Sequence, residues 1–338
     1  TFTYTAEGNG CGNEEAAMGR RGRRVRRPLL AAALLCGGPC LLTEVAAAEG
    51  RYRFLLASSP RLSKVSYVAL DVLRGTTSLI RPLLVPSGGN ALFKPLDAPH
   101  GMCVDVPRNR LFVTDPGATS RKIFYYELEV ANGDQLSLKS GAGKTAALEV
   151  AAKWCAVDHV GNLYFTTSDA ATNLFKLHKV PASALTGDGV SSAAAAEVLY
   201  SNADTPELSA PAGIVSDNYH LYWANEVLGR TKGSIGRAPV GNFHAGANLQ
   251  LAANSDSVRG VCQVGSHIYF TEQAQNLHAV HKQNGGVITE IATTLVQPRG
   301  CAWDGGGSLY IADRQANAVY EVPVSLPDPI PAPAVTKI

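Results

Sequence analysis

Charged residues bracket a recurring pair of short apolar segments in this 338-residue chain. In "HGMCVDVPRNRLFVTD" (100–115), His100 precedes the first segment and Asp115 ends the second. The same bracketing recurs with His100, Lys153, Arg259 and Arg299 in the leading positions, and Asp115, Asp169, Glu226, Glu272 and Asp313 in the trailing positions. If the segments surround one axis, these side chains form a rim that could bind an anionic or sugar-like ligand, or hold a metal through carboxylates.

The rim has a second interpretation, in which the same residues form salt bridges between neighbouring units and cap their turns. No catalytic signature decides between the two. The stretch "GAGKTA" (141–146) is not a phosphate-binding loop, because Leu138 stands where the first glycine is needed, and no Gly-x-Ser-x-Gly elbow occurs. His278 and His281 would face opposite sides of a strand, so they do not form a metal pair. Catalytic residues therefore stay unassigned.

Four cysteines also recur inside the repeated unit. Cys103 and Cys262 lie two residues before the end of the first segment, whereas Cys155 and Cys301 lie three residues before it. Neighbouring positions on a strand face opposite ways, so Cys103 can face Cys155, and Cys262 can face Cys301, across adjacent units. We therefore predict two disulfides, in keeping with an even count in an exported chain. The alternative is that cysteine is a small apolar filler near a crowded axis.

The elements that must position these residues are β-strands, and they repeat. The units are "GMCVDVPRNRLFVTD" (101–115), "WCAVDHVGNLYFTTSD" (154–169), "GIVSDNYHLYWANE" (213–226), "GVCQVGSHIYFTEQ" (260–273) and "GCAWDGGGSLYIAD" (300–313). Their apolar anchors are Leu111, Leu163, Leu221, Ile268 and Leu309, at spacings of 52, 58, 47 and 41 residues. Each unit predicts a strand, a tight turn and a second strand, followed by two more strands. Four antiparallel strands per repeat define one propeller blade.

A partial unit, "YRFLLASSPRLSKVSYVALD" (52–71), supplies the second and third strands of one more blade. This first blade lacks a clear innermost strand. We expect the tail "PDPIPAPAVTKI" (327–338) to return to the first blade and close the ring, because closure removes open sheet edges. The predicted fold is all-β, a six-bladed β-propeller of four-stranded antiparallel blades over residues 49–338.

The N-terminal region is predicted to be a sorting signal. Residues 1–17 are expected to be an unstructured leader. Residues 18–48 join a basic stretch, an apolar run and a small-residue cleavage site, which is typical of a signal peptide. An uncleaved signal anchor is the alternative, but Gly37, Gly38 and Pro39 interrupt the apolar run. We expect a secreted protein or one of an organelle lumen, without a stable membrane span.

The composition argues against nucleic-acid binding. The chain has 30 Lys and Arg against 28 Asp and Glu, and six of the cations are arginines within 20–27. Without those six, 24 cations face 28 carboxylates, which leaves no cationic surface of the kind that nucleic acids require. Thirty-three glycines and 19 prolines suit a turn-rich β protein. We expect a monomer with a protein or small-molecule ligand at the channel face.

The stretches "LYWANE" (221–226), "GSIGRAPV" (233–240) and "SLYIADRQANAVYEV" (308–322) resemble the six-bladed propeller superfamily. Its nearest families are the NHL repeats, the YWTD repeats and the SMP-30/gluconolactonase group, and the resemblance covers roughly residues 52–324. Members include lactonases, other hydrolases and protein binders, so the resemblance implies a fold more than an activity. We favour a non-catalytic ligand- or protein-binding propeller, for which no cofactor is required.

The gluconolactonase group implies the alternative, a metal-dependent lactonase or esterase. That group holds a divalent metal at the channel centre with a Glu, two Asn and an Asp. Here Asp115, Asn225, Glu272 and Asp313 have suitable chemistry, and calcium or zinc would be the cofactor. The group's Glu lies in a Glu-Gly-Pro stretch, whereas this chain has Glu49-Gly50-Arg51 without the proline. That departure counts against the hydrolase.

Overall fold

The computed structural model describes residues 2–7, 51–70, 80–83, 96–119, 121–131, 135–139, 143–186, 196–229, 231–241, 249–273 and 276–338. The strands in these ranges form six antiparallel sheets, each built from consecutive strands. Each sheet is one blade, and the innermost strands of neighbouring blades contact one another around the ring. The predicted six-bladed β-propeller is therefore confirmed.

The blades are numbered along the chain. Blade 1 contains β1 (Phe2–Glu7), β2 (Arg51–Ser59), β3 (Lys64–Ala69) and β4 (Arg81–Pro82). Blade 2 contains β5 (Met102–Asp105), β6 (Arg110–Asp115), β7 (Lys122–Ala131), β8 (Gln135–Leu138) and β9 (Lys144–Ala147). Blade 3 contains β10 (Ala152–Val157), β11 (Leu163–Asp169), β12 (Leu174–Val180) and β13 (Glu197–Ser201).

The second half of the ring follows the same order. Blade 4 contains β14 (Pro211–Ser216), β15 (His220–Asn225), β16 (Gly233–Pro239) and β17 (Leu249–Ser255). Blade 5 contains β18 (Val258–Val264), β19 (His267–Glu272), β20 (Leu277–His281) and β21 (Thr289–Ala292). Blade 6 contains β22 (Pro298–Trp303), β23 (Ser308–Asp313), β24 (Ala318–Pro323) and β25 (Thr336–Lys337). Short 3-10 turns lie at Pro60–Leu62, Val106–Arg108 and Ala182–Thr186.

The hydrophobic core is divided among the junctions between blades. Side chains of the second strands alternate between the two neighbours: in β6, Leu111 and Val113 pack toward blade 1, whereas Phe112 packs toward blade 3. In β15, Trp223 packs toward blade 3 and Tyr222 toward blade 5. Both faces of each second strand are buried, which explains why these strands read as continuous apolar runs instead of alternating ones.

The innermost strands approach one another closely through glycine and threonine. Gly101 N donates to the Lys153 carbonyl at 2.8 Å, and Thr114 Oγ1 donates to the same oxygen at 3.0 Å. The hydroxyl-to-carbonyl contact recurs from Thr166 to Ala212 and from Thr271 to Arg299. Pairing within the blade shifts register at each accepting residue, so a bulge presents its carbonyl to the preceding blade.

Both disulfides proposed from the cysteine spacing are present. Cys103 and Cys155 join blades 2 and 3 with a Cα–Cα distance of 5.7 Å, and Cys262 and Cys301 join blades 5 and 6 at 5.9 Å. These separations lie in the ordinary range for disulfides. The four cysteines are therefore covalent links between blades, and the filler interpretation does not hold.

The C-terminal tail does not close the ring, contrary to the prediction. Thr336 and Lys337 pair with Glu321 and Tyr320 of β24, so the tail completes blade 6. The reason is that β24 would otherwise present an unpaired edge. The link between blades 6 and 1 is made elsewhere: β1 contacts β22, and Arg53 Nη1 lies 2.8 Å from Asp304 Oδ2.

The first blade obtains its innermost strand from residues 2–7, which we expected to belong to an unstructured leader. This strand, β1, pairs antiparallel with β2 from Phe2↔Leu56 to Glu7↔Arg51. The sequence FTYTAE alternates in residue type, as strands do, and pairing covers the inner edge of β2. The predicted signal segment, with Cys36, Cys40 and Glu49, lies outside the described residues. In the described ranges, no helix is long and apolar enough to cross a membrane.

His178 makes the stability of blade 3 dependent on pH. Burial, and then the positive charge of Lys176, lower the pKa of His178 to about 4. Its ring stacks on Phe165 with 4.8 Å between centroids, and its Nε2 hydrogen-bonds Thr167 Oγ1 at 2.9 Å. In the unfolded chain the imidazole of His178 takes up a proton below pH 6.5, whereas in the folded chain it does so only near pH 4. The free energy of unfolding should therefore fall by about 3 kcal/mol between these values.

We expect His178→Gln to remove this contribution, because glutamine does not titrate in that range. Urea unfolding at pH 7, 5.5 and 4.5 should give a profile that is flatter for the variant than for the parent. Profiles that run parallel over the whole range would contradict the assignment.

Candidate functional site

The rim residues lie at two places in each blade, the start of the innermost strand and the end of the second strand. Antiparallel pairing puts these places side by side: His100 N donates to Thr114 O at 2.8 Å. Four residues after the apolar anchor in blades 2 to 6 stand Asp115, Thr167, Asn225, Glu272 and Asp313, here called the fourth-position residues. One residue further stand Pro116, Ser168, Glu226, Gln273 and Arg314, the fifth-position residues. The structure gives these two sets different roles.

Two fourth-position aspartates bind loop backbone. Asp115 is fully buried, and both carboxylate oxygens accept hydrogen bonds from backbone N–H groups. The donors, at 2.7–3.2 Å, are Asp97, Ala98, Gly117 and Ala118. Asp313 does the same in blade 6, where the donors are Val296, Gln297, Gln315 and Ala316. Such charge-assisted bonds hold the loops on both sides of each second strand.

Asn225 has the same structural role in blade 4. Its Oδ1 accepts from Ser209 N at 2.9 Å and from the Trp223 indole N–H at 3.1 Å. Its Nδ2 donates to Glu207 O at 2.8 Å and to Ser234 Oγ at 2.7 Å. The side chain is completely buried, so every donor and acceptor of this amide is engaged within the blade.

Two other predicted rim residues also point to local partners. In blade 5, Glu272 Oε2 lies 3.3 Å from His278 Nε2. Blade 3 has Thr167 at the fourth position, so Asp169 falls two residues later, at the exposed end of β11. There its carboxylate accepts from the Thr172 hydroxyl and from Ala171 N, which lowers the pKa of Asp169.

The four proposed metal ligands do not fit a metal site. Asp115, Asn225 and Asp313 are engaged with backbone and neighbouring side chains, and Glu272 is next to His278. Among the described residues, no group of three or more His, Cys, Asp or Glu side chains could hold a metal ion. Glu49 is outside the described residues. No catalytic step through a metal can be derived from this arrangement.

Glu226 brings together cations from two other blades. Arg259 Nη1 lies 2.5 Å from Glu226 Oε1, and Arg259 Nη2 donates to Gln273 Oε1 at 2.7 Å. Arg299 Nη1 lies 3.7 Å from the same Glu226 oxygen. We call Glu226, Gln273, Arg259 and Arg299 the channel-mouth cluster. It joins blades 4, 5 and 6 at the end of the channel where the innermost strands begin.

Further cations lie near this cluster. Burial, and then the positive charge of Lys153, lower the pKa of His100. Arg314 acts in the same direction, whereas Asp115 and Glu226 oppose it. His100 is therefore neutral at pH 7, and Lys153, Arg314 and Glu226 are close enough to influence it. The predicted rim residues Lys153, Glu226, Arg259 and Arg299 thus share one electrostatic neighbourhood.

A shallow cleft lies at the junction of blades 6 and 1, on the same face. It is lined by Arg61, Gln297, Arg314 and Gln315, and we call it the junction cleft. Arg61 comes from the turn after β2, Arg314 and Gln315 follow β23, and Gln297 precedes β22. Two guanidinium and two carboxamide groups suit a ligand that carries an acid and neighbouring amide-like groups.

The sequence alone did not lead us to predict Gln273, Arg314 and Arg61 as site residues. A sequence pattern that points to Gln273 and Arg314 exists, because each directly follows a fourth-position residue, as Glu226 does. Alignment on the anchors places Glu226, Gln273 and Arg314 at the same position, directly after the end of a second strand. Arg61 had no comparable signal, since it lies in a turn of the partial first unit.

Comparison with known proteins identifies the fold. No protein-family model matches the chain, and no curated protein matches it. A chain of the crystal structure of a nidogen/laminin complex matches with a TM-score of 0.58 at 17% identity, over 84% of this chain and 94% of that chain. A gluconolactonase from Xanthomonas campestris matches with a TM-score of 0.48 at 16% identity, over 85% of this chain and 96% of that chain.

These identities establish similarity of fold alone. The fold and the comparison together define the class of this protein as a six-bladed β-propeller. Its own distinguishing features are the two disulfides between blades and the cationic channel-mouth cluster.

Proposed function

We propose that this chain is a non-catalytic binding propeller that takes a protein or small-molecule ligand at its channel mouth. The observation that carries the proposal is the channel-mouth cluster, in which guanidinium groups from two blades share the carboxylate of a third. Propeller loops on this face present side chains to one axis, which is the geometry of a binding surface. The matched chain of the nidogen/laminin crystal structure likewise belongs to a complex between proteins.

The hydrolase alternative has no such support. Two of its nominated ligands, Asp115 and Asp313, hold loops through backbone N–H groups, Asn225 has all its amide atoms engaged within blade 4, and Glu272 lies beside His278. An enzyme would also require a nucleophile or an activated water aimed at the channel. We therefore do not propose lactonase or esterase activity.

The two disulfides support an exported or lumenal location. Disulfides between blades persist in oxidising compartments and are rare where glutathione keeps thiols reduced. We propose that the protein acts outside the cytosol, after export directed by the segment at residues 18–48. Amino-terminal sequencing of the secreted protein tests this. Cleavage near residue 48 would separate β1 from blade 1, whereas an intact amino terminus would show that the segment directs export without being removed.

Stability measured with and without metal ions tests the proposed function against the hydrolase alternative. We expect Asp115→Asn to lower the free energy of unfolding by about 2 kcal/mol, because buried N–H donors lose a charged acceptor. The loss should be the same with and without calcium or zinc, and neither ion should raise the Tm of the parent, since a bound ion would stabilise the folded state.

Asp169→Asn, at the exposed end of β11, is the matched control and should have little effect. A parent that is stabilised by either ion and hydrolyses lactones in its presence, with both properties lost in Asp115→Asn, would refute the binding proposal in favour of the hydrolase.

A further inference from the structure

The channel-mouth cluster carries more positive than negative charge. Glu226 is shared by Arg259 and Arg299, so one carboxylate faces two guanidinium groups. The Arg299 Nη1 atom, at 3.7 Å, is beyond hydrogen-bond distance from that carboxylate. Within the described part of the chain, the buried Nε atoms of Arg259 and Arg299 have no hydrogen-bond partner. These Nε atoms are closed to solvent, but the Arg299 side chain is 24% exposed, so its guanidinium can donate to a second carboxylate from outside.

The junction cleft continues this cationic surface. Gln297 lines the cleft two residues before Arg299, on the other side of Pro298. Arg314 lines the cleft as well, and its backbone N–H donates to the Gln297 carbonyl at 3.1 Å, which holds Arg314 beside the start of the strand that carries Arg299. A ligand could thus contact Arg299 in the channel mouth and Arg314 in the cleft at the same time.

We propose that the channel mouth and the junction cleft form one site for an acidic peptide segment of a protein partner. One acidic side chain enters between Arg259 and Arg299, where it competes with Glu226. A second acidic side chain pairs with Arg314 and Arg61. The inference deepens the proposed function and rests on it.

Three features favour an acidic peptide over a sulfated polysaccharide. Glu226 remains within the cluster and would repel a ligand of high charge density, whereas a single carboxylate can replace it. The carboxamides of Gln297 and Gln315 supply both donors and acceptors, which suits the amide groups of a peptide backbone. Outside residues 20–27, carboxylates outnumber cations in the chain, 28 against 24, which also disfavours a polyanion.

Two variants of opposite expected effect test the site. The probe is a fluorescein-labelled, capped peptide with two aspartates separated by glycines, compared with the same peptide carrying asparagines. We expect the protein to bind the aspartate peptide and not the asparagine peptide. Arg299→Gln should weaken binding about fivefold or more, because a charge-assisted bond is lost. Glu226→Gln should strengthen it by a similar factor, because the internal competitor loses its charge.

The control is Arg108→Gln, which removes an arginine paired with Asp105 in the turn at the opposite end of the channel. It should leave the affinity unchanged. The Glu226→Gln result is decisive even if Arg299→Gln folds poorly, because this variant keeps both guanidinium groups. A merely structural Glu226 would give unchanged or weaker binding, and that result would overturn the inference.

Failure of the inference can be told apart from failure of the proposed function. A folded protein that binds neither peptide and hydrolyses no lactone overturns the acidic-peptide site and leaves the binding function in place. Tighter binding of heparin than of the aspartate peptide, unaffected by Glu226→Gln, also overturns it. Lactone hydrolysis that depends on calcium or zinc overturns both.

Discussion

Replacing Cys103 and Cys155 with serine should lower the free energy of unfolding by about 4 kcal/mol, and the change at Cys262 and Cys301 should cost nearly as much. The disulfides close loops of 52 and 39 residues, and the entropy that a crosslink removes from the unfolded chain grows only slowly with loop length. Each bond also holds two blades at the crowded axis, where Cys103 is completely buried.

Guanidinium-induced unfolding of the two double variants and of the quadruple variant measures the effect. The pairs lie in different junctions, so their contributions should be additive. The parent treated with a reducing agent is the control, because it loses both bonds without a change of sequence. If the reduced parent unfolds at the same denaturant concentration as the oxidised one, the disulfides do not stabilise the ring.

Gly260→Ala should lower the free energy of unfolding by about 3 kcal/mol or more, because there is no room for the added Cβ atom. A Cβ at this position would lie 2.0 Å from the Arg299 carbonyl oxygen, and backbone cannot rotate aside as a side chain can. Blades 5 and 6 would have to separate at the axis. The Thr271 hydroxyl bond to the same carbonyl would then weaken as well.

Gly241→Ala provides the comparison, since no atom lies within 4 Å of the Cβ it would add. We expect the free energy of unfolding of Gly241→Ala to differ from that of the parent by no more than about 0.5 kcal/mol. Thermal and denaturant unfolding of both variants measure the difference. Equal stabilities would show that the innermost strands are packed less tightly than the structure indicates. Because Arg299 belongs to the channel-mouth cluster, Gly260→Ala should also weaken binding of the aspartate peptide.

The blade count and the disulfides were accessible from sequence because both depend on local geometry. The second strands, such as "LYWA" and "LYIA", repeat every 41 to 58 residues, and the strand period allows Cys103 to face Cys155 if the Cys103 position points toward the next blade. The roles of Asp115 and Asp313 could not be predicted from the sequence. A carboxylate at the end of a strand has the same appearance in sequence whether it binds a metal or a loop.

Sequence by itself therefore determined that this protein is a ring of six blades, where the first two strands of blades 2 to 6 lie and which cysteines can meet. Only the tertiary structure decided that the tail completes blade 6, that residues 2–7 pair with β2, and that Glu226 stands between Arg259 and Arg299. The physical reason is that the first set follows from contacts between neighbouring strands. The second set depends on the paths of loops and on residues of different blades that meet only when the ring closes.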